Sequence, residues 1–312
     1  MKIACIGVGN VGRSWAVVFA RAGHQVSLWD KNESAVKQAL PLIHASFNDL
    51  QEAGIAIDVE QAMNLITVAE TLETAVQDAD YVQESVAEVV EVKQSVFLKL
   101  DEYAPEHCVL ASSTSAISAS KFLADIKGRH RCLIAHPVNP PHLIPLVELC
   151  ASPWTDAKVV EQAKKIMTAV GQSPILLNKE VDGFVLNRLQ WALMGEAMHL
   201  VDKGYCSVED IDKTLTQGLA LRWAFIGPFE VAHLNASQGI KGYFEVLADA
   251  MTLVRDSIQA DYPPTETLIN KAHDSLNKEM PVEQITDYQE RRDQRILKLR
   301  QHLAETSSGV ST

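Results

Sequence analysis

The sequence predicts an α/β protein: a doubly wound, mostly parallel sheet over residues 1–182, followed by an all-α domain over residues 183–312. Three observations carry this. Short apolar strands alternate with helical stretches through the first half. The first strand runs directly into a Gly-x-Gly-x-x-Gly turn. Strand signals then stop near Asp182–Gly183, and only helical periodicity remains.

Taken in order, Lys2–Ile6 is a short apolar strand, and helix signals follow through Arg13–Ala22. Gln25–Trp29 is a second strand, ending at Asp30. Tyr81–Val86, Cys108–Ala111, Arg131–Ala135, Leu146–Leu149 and Pro174–Leu177 are further strands, with helices at Val90–Tyr103 and Asp156–Val170. Arg131–Ala135 and Leu146–Leu149 lie too close for a helical crossover, so that pair need not be parallel. In the second half, Phe184–Lys203 sets Phe184, Leu186, Leu189, Leu193, Ala197, Leu200 and Val201 at helical spacing. Ser207 caps the next helix, with Asp210 three residues on. Further helices fit Phe229–Asn235, Tyr243–Ser257, Thr265–Lys278 and Val282–Ala304, and the small polar tail Thr306–Thr312 is expected to fray.

Charge narrows the partners. Lys and Arg total 28 against 40 Asp and Glu, a formal charge of −12. An acidic surface repels polyphosphate, which argues against nucleic acid or an anionic membrane as main partner. It leaves room for a small anionic substrate in a local basic pocket. No run of about 18 apolar residues suggests a membrane span, and the N-terminus reads as a strand rather than a signal peptide. Cys5, Cys108, Cys132, Cys150 and Cys206 are scattered and odd in number, which fits reduced thiols in a cytoplasmic protein. No H-E-x-x-H motif or zinc-spaced His/Cys cluster is present, so no metal is expected.

The glycine run is Gly7-Val8-Gly9-Asn10-Val11-Gly12. It follows a strand and opens a helix, and Asp30 ends the next strand 23 residues after Gly7. This is the Rossmann fingerprint. Gly7 allows the tight turn, Gly9 lets backbone approach a pyrophosphate, and Gly12 lets the helix pack closely on the strand. Asn10 and Val11 then open a helix whose free N–H groups face the anion. Asp30 can accept both ribose hydroxyls of NAD, while the 2′-phosphate of NADP would meet like charge. Lys31 argues mildly the other way, and Asp30 as a simple turn residue stays open.

A dinucleotide fold does not name a reaction. Oxidising an alcohol needs a group to take the hydroxyl proton, and histidine is the usual choice. His136 ends a strand, and strand C-terminal ends face the cofactor crevice. Glu148 sits in Pro145-Leu146-Val147-Glu148-Leu149, where an isolated carboxylate is costly unless paired. A partner imidazole would satisfy it and be held in one tautomer. On residue type alone, a structural histidine stays open.

These segments resemble the L-3-hydroxyacyl-CoA dehydrogenase superfamily, whose signature is a histidine, an asparagine three residues later, then L-V-E. The counterparts are His136, Asn139 and Leu146-Val147-Glu148. Ala111-Ser112-Ser113-Thr114-Ser115 is similar to the family's serine loop, and Gly183-Phe184-Val185-Leu186-Asn187-Arg188 to its G-F-x-x-N-R segment. Within the superfamily, Val11-Gly12-Arg13-Ser14-Trp15, His136 through Pro141, Arg222 through Pro228 and Arg291-Arg292-Asp293 resemble the lambda-crystallin, or L-gulonate 3-dehydrogenase, branch. The resemblance implies NAD as cofactor, His136 as general base and Glu148 as the residue that orients it. It implies Ser115 and Asn187 on the reacting oxygen, Asn139 beside the substrate, and Glu88 and Lys93 near the nicotinamide end. The family's P-E-N is here Ala87-Glu88-Val89, which lacks the asparagine. Lys93 on a solvated helix face stays open.

For substrate, a free L-3-hydroxy acid such as L-gulonate leads, with a 3-hydroxyacyl-CoA thioester as the alternative. A carnitine-type acid lies between them, since Gln83-Glu84-Ser85 also occurs in such relatives. A protein kept for abundance, with incidental catalysis, is the third class. Arg222, in a glycine-flanked aromatic segment, can grip a carboxylate through a bidentate pair; packing on Trp223 or a structural ion pair is the alternative. Trp191, Leu193, Met194 and Met198 occupy several faces of one helix, which predicts a homodimer.

Overall fold

The computed structural model describes residues 1–307. Its sheet has eight strands: β1 Lys2–Ile6, β2 Gln25–Trp29, β3 Ile66–Val68, β4 Tyr81–Glu84, β5 Val109–Ser112, β6 Cys132–Pro137, β7 Leu146–Ala151 and β8 Ser173–Leu177. The spatial order is β3-β2-β1-β4-β5-β6-β7-β8. Every pairing is parallel except β6 with β7. The order reverses between β1 and β4, which is the switch point where ligands of such sheets bind.

Strand parity divides the core. Ile3 and Cys5 of β1, Leu133 and Ala135 of β6, and Val147 and Leu149 of β7 pack on one face with Trp15, Phe19 and Phe47. Ala4 and Ile6, Cys132 and Ile134, and Cys150 turn to the other face with Phe97, Leu100, Phe122 and Phe184. Both faces being covered explains why these strands read as continuous apolar runs. Full burial of one such large apolar side chain is worth about 1.5–3 kcal/mol.

Helices lie close to where the spacing places them, notably Asn10–Arg21, Val90–Tyr103 and Ala157–Ala169; the helix expected from Phe184 starts instead at Leu186 and runs to Asp202, because Phe184 is left-handed and packs in the sheet core. Ser207 and Asp210 form a reciprocal capping box on Val208–Thr214. The long helix Glu33–Glu52, capped by Asn32 on the N–H groups of Ser34 and Ala35, carries Pro41 inside it. Val89 stands at the N-cap of Val90–Tyr103 and provides no side-chain cap, at a position where a capping side chain is worth about 0.5–2 kcal/mol. Of the expected tail, Thr306 and Ser307 continue the last helix, Ile285–Ser307; residues 308–312 lie outside the described residues.

Two compact units result. One comprises Met1–Asn187 with Asp293–Leu299, so the middle of the last helix belongs with the sheet, where Leu297 is buried in the core. The other comprises Arg188–Arg292 and the chain from Arg300. This second unit exposes many large apolar side chains, among them Phe229 at 76 % and Val246 at 80 %. No helix among the described residues is long and apolar enough to cross a membrane.

Candidate active site

The glycine loop has the shape its sequence implies. Gly7 adopts φ +94°, and a Cβ there would lie 2.6 Å from the Ser85 carbonyl oxygen. A Cβ on Gly12 would lie 1.9 Å from the Gly7 carbonyl oxygen, so helix and loop touch backbone to backbone. A Cβ on Gly9 would meet nothing within 4 Å. Gly9 caps Asn10–Arg21 without a side-chain acceptor, and the first bond of that helix runs from Arg13 N–H to Gly9 C=O. The N–H groups of the first turn, Asn10 and Val11 included, therefore face open space as an anion cradle. Asp30 accepts from Val8 N–H through Oδ2 at 3.0 Å and from Asn32 N–H through Oδ1 at 2.9 Å. Each oxygen keeps acceptor capacity for a ribose hydroxyl. These residues fit NAD.

At the C-terminal end of β6, His136 stands directly opposite Glu148 of β7 in the antiparallel register. His136 is 4 % exposed and Glu148 0 %. Nδ1 lies 2.8 Å from Glu148 Oε2. Glu148 Oε1 accepts from the N–H groups of Val185 and Leu186 at 2.9 and 3.1 Å. The backbone turns those two donors inward through left-handed conformations at Gly183 (φ +76°) and Phe184 (φ +52°). Phe184 is fully buried, its ring centroid 5.2 Å from that of His136. Burial pushes the Glu148 carboxyl up, but hydrogen bonds from His136, Leu186 and Val185 outweigh it and hold it below the ordinary 4.5. A carboxylate kept ionised only accepts, so Nδ1 carries a proton, and of the two neutral tautomers this selects the one with its lone pair on Nε2.

Ser115 lies in the loop after β5, the parallel neighbour of β6. Its carbonyl oxygen accepts from Asn187 Nδ2 at 2.7 Å, which ties the serine loop to the start of Leu186–Asp202. From beneath, Glu88 Oε1 accepts from Thr114 Oγ1 at 2.5 Å, Ser115 N–H at 2.8 Å and Ala116 N–H at 3.0 Å. Burial raises the Glu88 carboxyl, but Thr114, Lys93 and the two backbone donors bring it below its ordinary value.

Lys93 is no solvated helix-face residue: it is 1 % exposed. Its Nζ lies 3.0 Å from Glu84 Oε1 and 3.4 Å from Glu88 Oε2. Glu84 is 0 % exposed and also accepts from Ser112 Oγ and Val86 N–H. Glu84 enters the sequence reading only within Gln83-Glu84-Ser85 and not as a site residue, although a carboxylate in the strand Tyr81-Val82-Gln83-Glu84 is the same signal that marks Glu148.

For two expected site residues no hydrogen bond to this cluster is found among the described residues. Asn139 is exposed, precedes a cis peptide bond to Pro140, and has no side-chain hydrogen bond among the described residues. Arg222 is exposed in the second unit, on the short helix Ala220–Trp223. Neither the stacking on Trp223 nor a structural ion pair is seen for it among the described residues.

A glycine cradle at the switch point and a carboxylate-oriented histidine at the same C-terminal edge of the sheet fit an NAD-dependent oxidoreductase acting on a CH–OH group. Comparisons with known proteins agree. The NAD-binding domain of 3-hydroxyacyl-CoA dehydrogenase matches residues 2–181 and its C-terminal domain residues 183–279. The chain is 37 % identical to lambda-crystallin of Oryctolagus cuniculus over 284 residues, covering 90 % of this chain and 89 % of that one. It is 38 % identical to L-carnitine dehydrogenase of Streptomyces griseus over 238 residues, 76 % and 70 % of the two chains. Among solved structures, an NAD+-dependent 5-formyl-3-hydroxy-2-methylpyridine 4-carboxylic acid 5-dehydrogenase superposes with a TM-score of 0.85 at 26 % identity, over 97 % of this chain and 98 % of that one. The 3-hydroxybutyryl-CoA dehydrogenase of Escherichia coli gives 0.68 at 28 % identity, over 86 % and 56 %. The chain belongs to the 3-hydroxyacyl-CoA dehydrogenase family, in its lambda-crystallin branch.

Proposed function

We propose that this enzyme oxidises the 3-hydroxyl of a free L-3-hydroxy acid, with L-gulonate the first candidate. The observation that carries the chemistry is the buried His136–Glu148 pair, with Nδ1 committed to the carboxylate at 2.8 Å. NAD supplies the hydride acceptor. His136 Nε2 takes the hydroxyl proton during oxidation and returns it during reduction. The Glu148 carboxylate stabilises the imidazolium that forms. The Ser115 hydroxyl and the second N–H of Asn187 hold the reacting oxygen, while Glu88 fixes the loop that carries Ser115. Asp30 reads the ribose as unphosphorylated.

Support for a free acid comes from the L-carnitine dehydrogenase relative and from the stronger superposition on a dehydrogenase of a small carboxylic acid. Arg222 is the candidate grip for the substrate carboxylate. The family description and the Escherichia coli structure favour the alternative, a 3-hydroxyacyl-CoA substrate. A panel of free 3-hydroxy acids and acyl-CoA thioesters, followed by NADH absorbance, separates the two. Faster turnover of acetoacetyl-CoA than of any free acid overturns the free-acid reading. The exposed apolar side chains of the second unit, Trp191 at 59 % among them, support a homodimer, and the five free cysteines support a cytoplasmic setting. A monomeric mass by light scattering at micromolar concentration rejects the dimer.

A further inference from the structure

Gln83-Glu84-Ser85 stands out in the sequence, and the chemistry above accounts for Glu84 alone. The other two residues belong to a second polar layer, on the opposite face of the sheet from Glu84. Its centre is Ser113 Oγ, which accepts from Trp15 Nε1 at 3.1 Å and from Gln83 Nε2 at 2.7 Å. The Gln83 amide is fixed in orientation: Nε2 also reaches the Ala135 carbonyl oxygen at 3.3 Å, and Oε1 accepts from Tyr81 OH at 2.7 Å. The indole N–H can only donate. Both lone pairs of Ser113 are thereby used, so its own proton goes to Ser85 Oγ, 2.9 Å away. Ser85 accepts that bond, and its own proton points elsewhere. No acceptor for it is found among the described residues.

Ser85 is the first residue past β4, and its N–H donates to the Ile6 carbonyl oxygen of β1 at 2.7 Å. Its carbonyl oxygen is the atom that a Cβ on Gly7 would strike, and its Cβ would lie 3.5 Å from a Cβ on Gly12. A partly buried hydroxyl with a spare, oriented proton therefore sits against the glycine loop at the switch point, where a dinucleotide is expected. The relay from two buried N–H donors through Ser113 polarises it and strengthens it as a donor.

We propose that the Ser85 hydroxyl donates a hydrogen bond to an oxygen in the pyrophosphate–nicotinamide ribose half of bound NAD, with Ser113 and Gln83 as the residues that aim it. Calorimetric binding to the full-length Ser85→Ala protein tests this. Kd for NADH and for ADP-ribose should rise about 5–30-fold, as for loss of one well-made hydrogen bond. Kd for AMP, which lacks that half of the cofactor, should stay within about twofold on the same scale. Ser85→Cys keeps the side-chain shape at a slightly larger volume but offers only a weak donor, so it should repeat the pattern and covers the case of an Ala variant that folds poorly. Unchanged NADH affinity in either variant overturns the proposal. So does an equal loss for AMP, which would mean that the loop itself had collapsed.

Discussion

Replacing Glu148 by Gln asks one side chain to satisfy two demands that only a carboxylate meets together. Oε1 accepts two backbone N–H groups and Oε2 accepts the His136 Nδ1–H. An amide has one accepting end and one donating end. Turned to keep Val185 and Leu186 satisfied, it presents NH2 to Nδ1. Turned the other way, it sets NH2 against two buried N–H donors and leaves both unpaired, at about 1–3 kcal/mol each. The first orientation wins two bonds to one. Nδ1 then becomes an acceptor, the ring proton moves to Nε2, and the base has no lone pair for the substrate. The fold survives, because the backbone bonds survive. The expected loss in kcat is about 10³-fold, within the usual range for general-base catalysis, or about 4 kcal/mol on the barrier. Steady-state NADH absorbance measures kcat, and NADH titration should give an unchanged Kd. His136→Ala should cost about as much, and the double variant little more, since the two act as one unit. A Glu148→Gln enzyme within about threefold of the parent kcat, a loss too small for a displaced base, refutes the tautomer argument.

Lys93→Met leaves Glu84 buried without its cation, so stability should fall by about 3–5 kcal/mol in urea unfolding; a loss below about 1 kcal/mol, the scale of an exposed pair, would mean water reaches the site. Glu148 and Glu88 are both held below the ordinary 4.5 in the folded state, so the stability they contribute is full above that value and is lost as pH falls through their lowered folded values. Unfolding midpoints should therefore drop below pH 4.5, with a shallower fall in Glu148→Gln; an equally steep fall in that variant counts against the linkage. Catalytic efficiency should favour NAD over NADP, with Asp30→Ala narrowing the ratio; equal or better efficiency of the parent enzyme with NADP would point instead to Lys31 as a phosphate partner.

What the sequence made legible follows physical lines. Strands with several consecutive buried residues announced themselves, and the short spacing between β6 and β7 left no room for a helical crossover, which leaves open the antiparallel pairing that is observed. β3 did not, because Ile66–Val68 is a three-residue edge strand with no room for a period. Glu33–Glu52 reads poorly because Pro41 and scattered polar residues interrupt its apolar stripe. At the site, Glu148 was readable as a carboxylate out of place in an apolar strand, whereas His136 as its partner base rested on its place at a strand end and on the family resemblance. Ser113 was not, since a serine in a serine-rich loop carries no local signal of three partners converging on it. Lys93 was ambiguous for a related reason: burial of a helical lysine depends on Glu84, which lies on a different element.

The facing of His136 and Glu148 across two antiparallel strands has a consequence for how the enzyme acquires its activity. Side chains alternate along a strand, so a one-residue slip of β7 would bring Val147 or Leu149 beside His136 and turn Glu148 to the opposite face. Such a misaligned chain would keep its secondary structure and most of its apolar burial, yet it would have no working proton acceptor. Recovered turnover after refolding thus reports something circular dichroism cannot: the fraction of molecules in which this one strand has found its proper alignment.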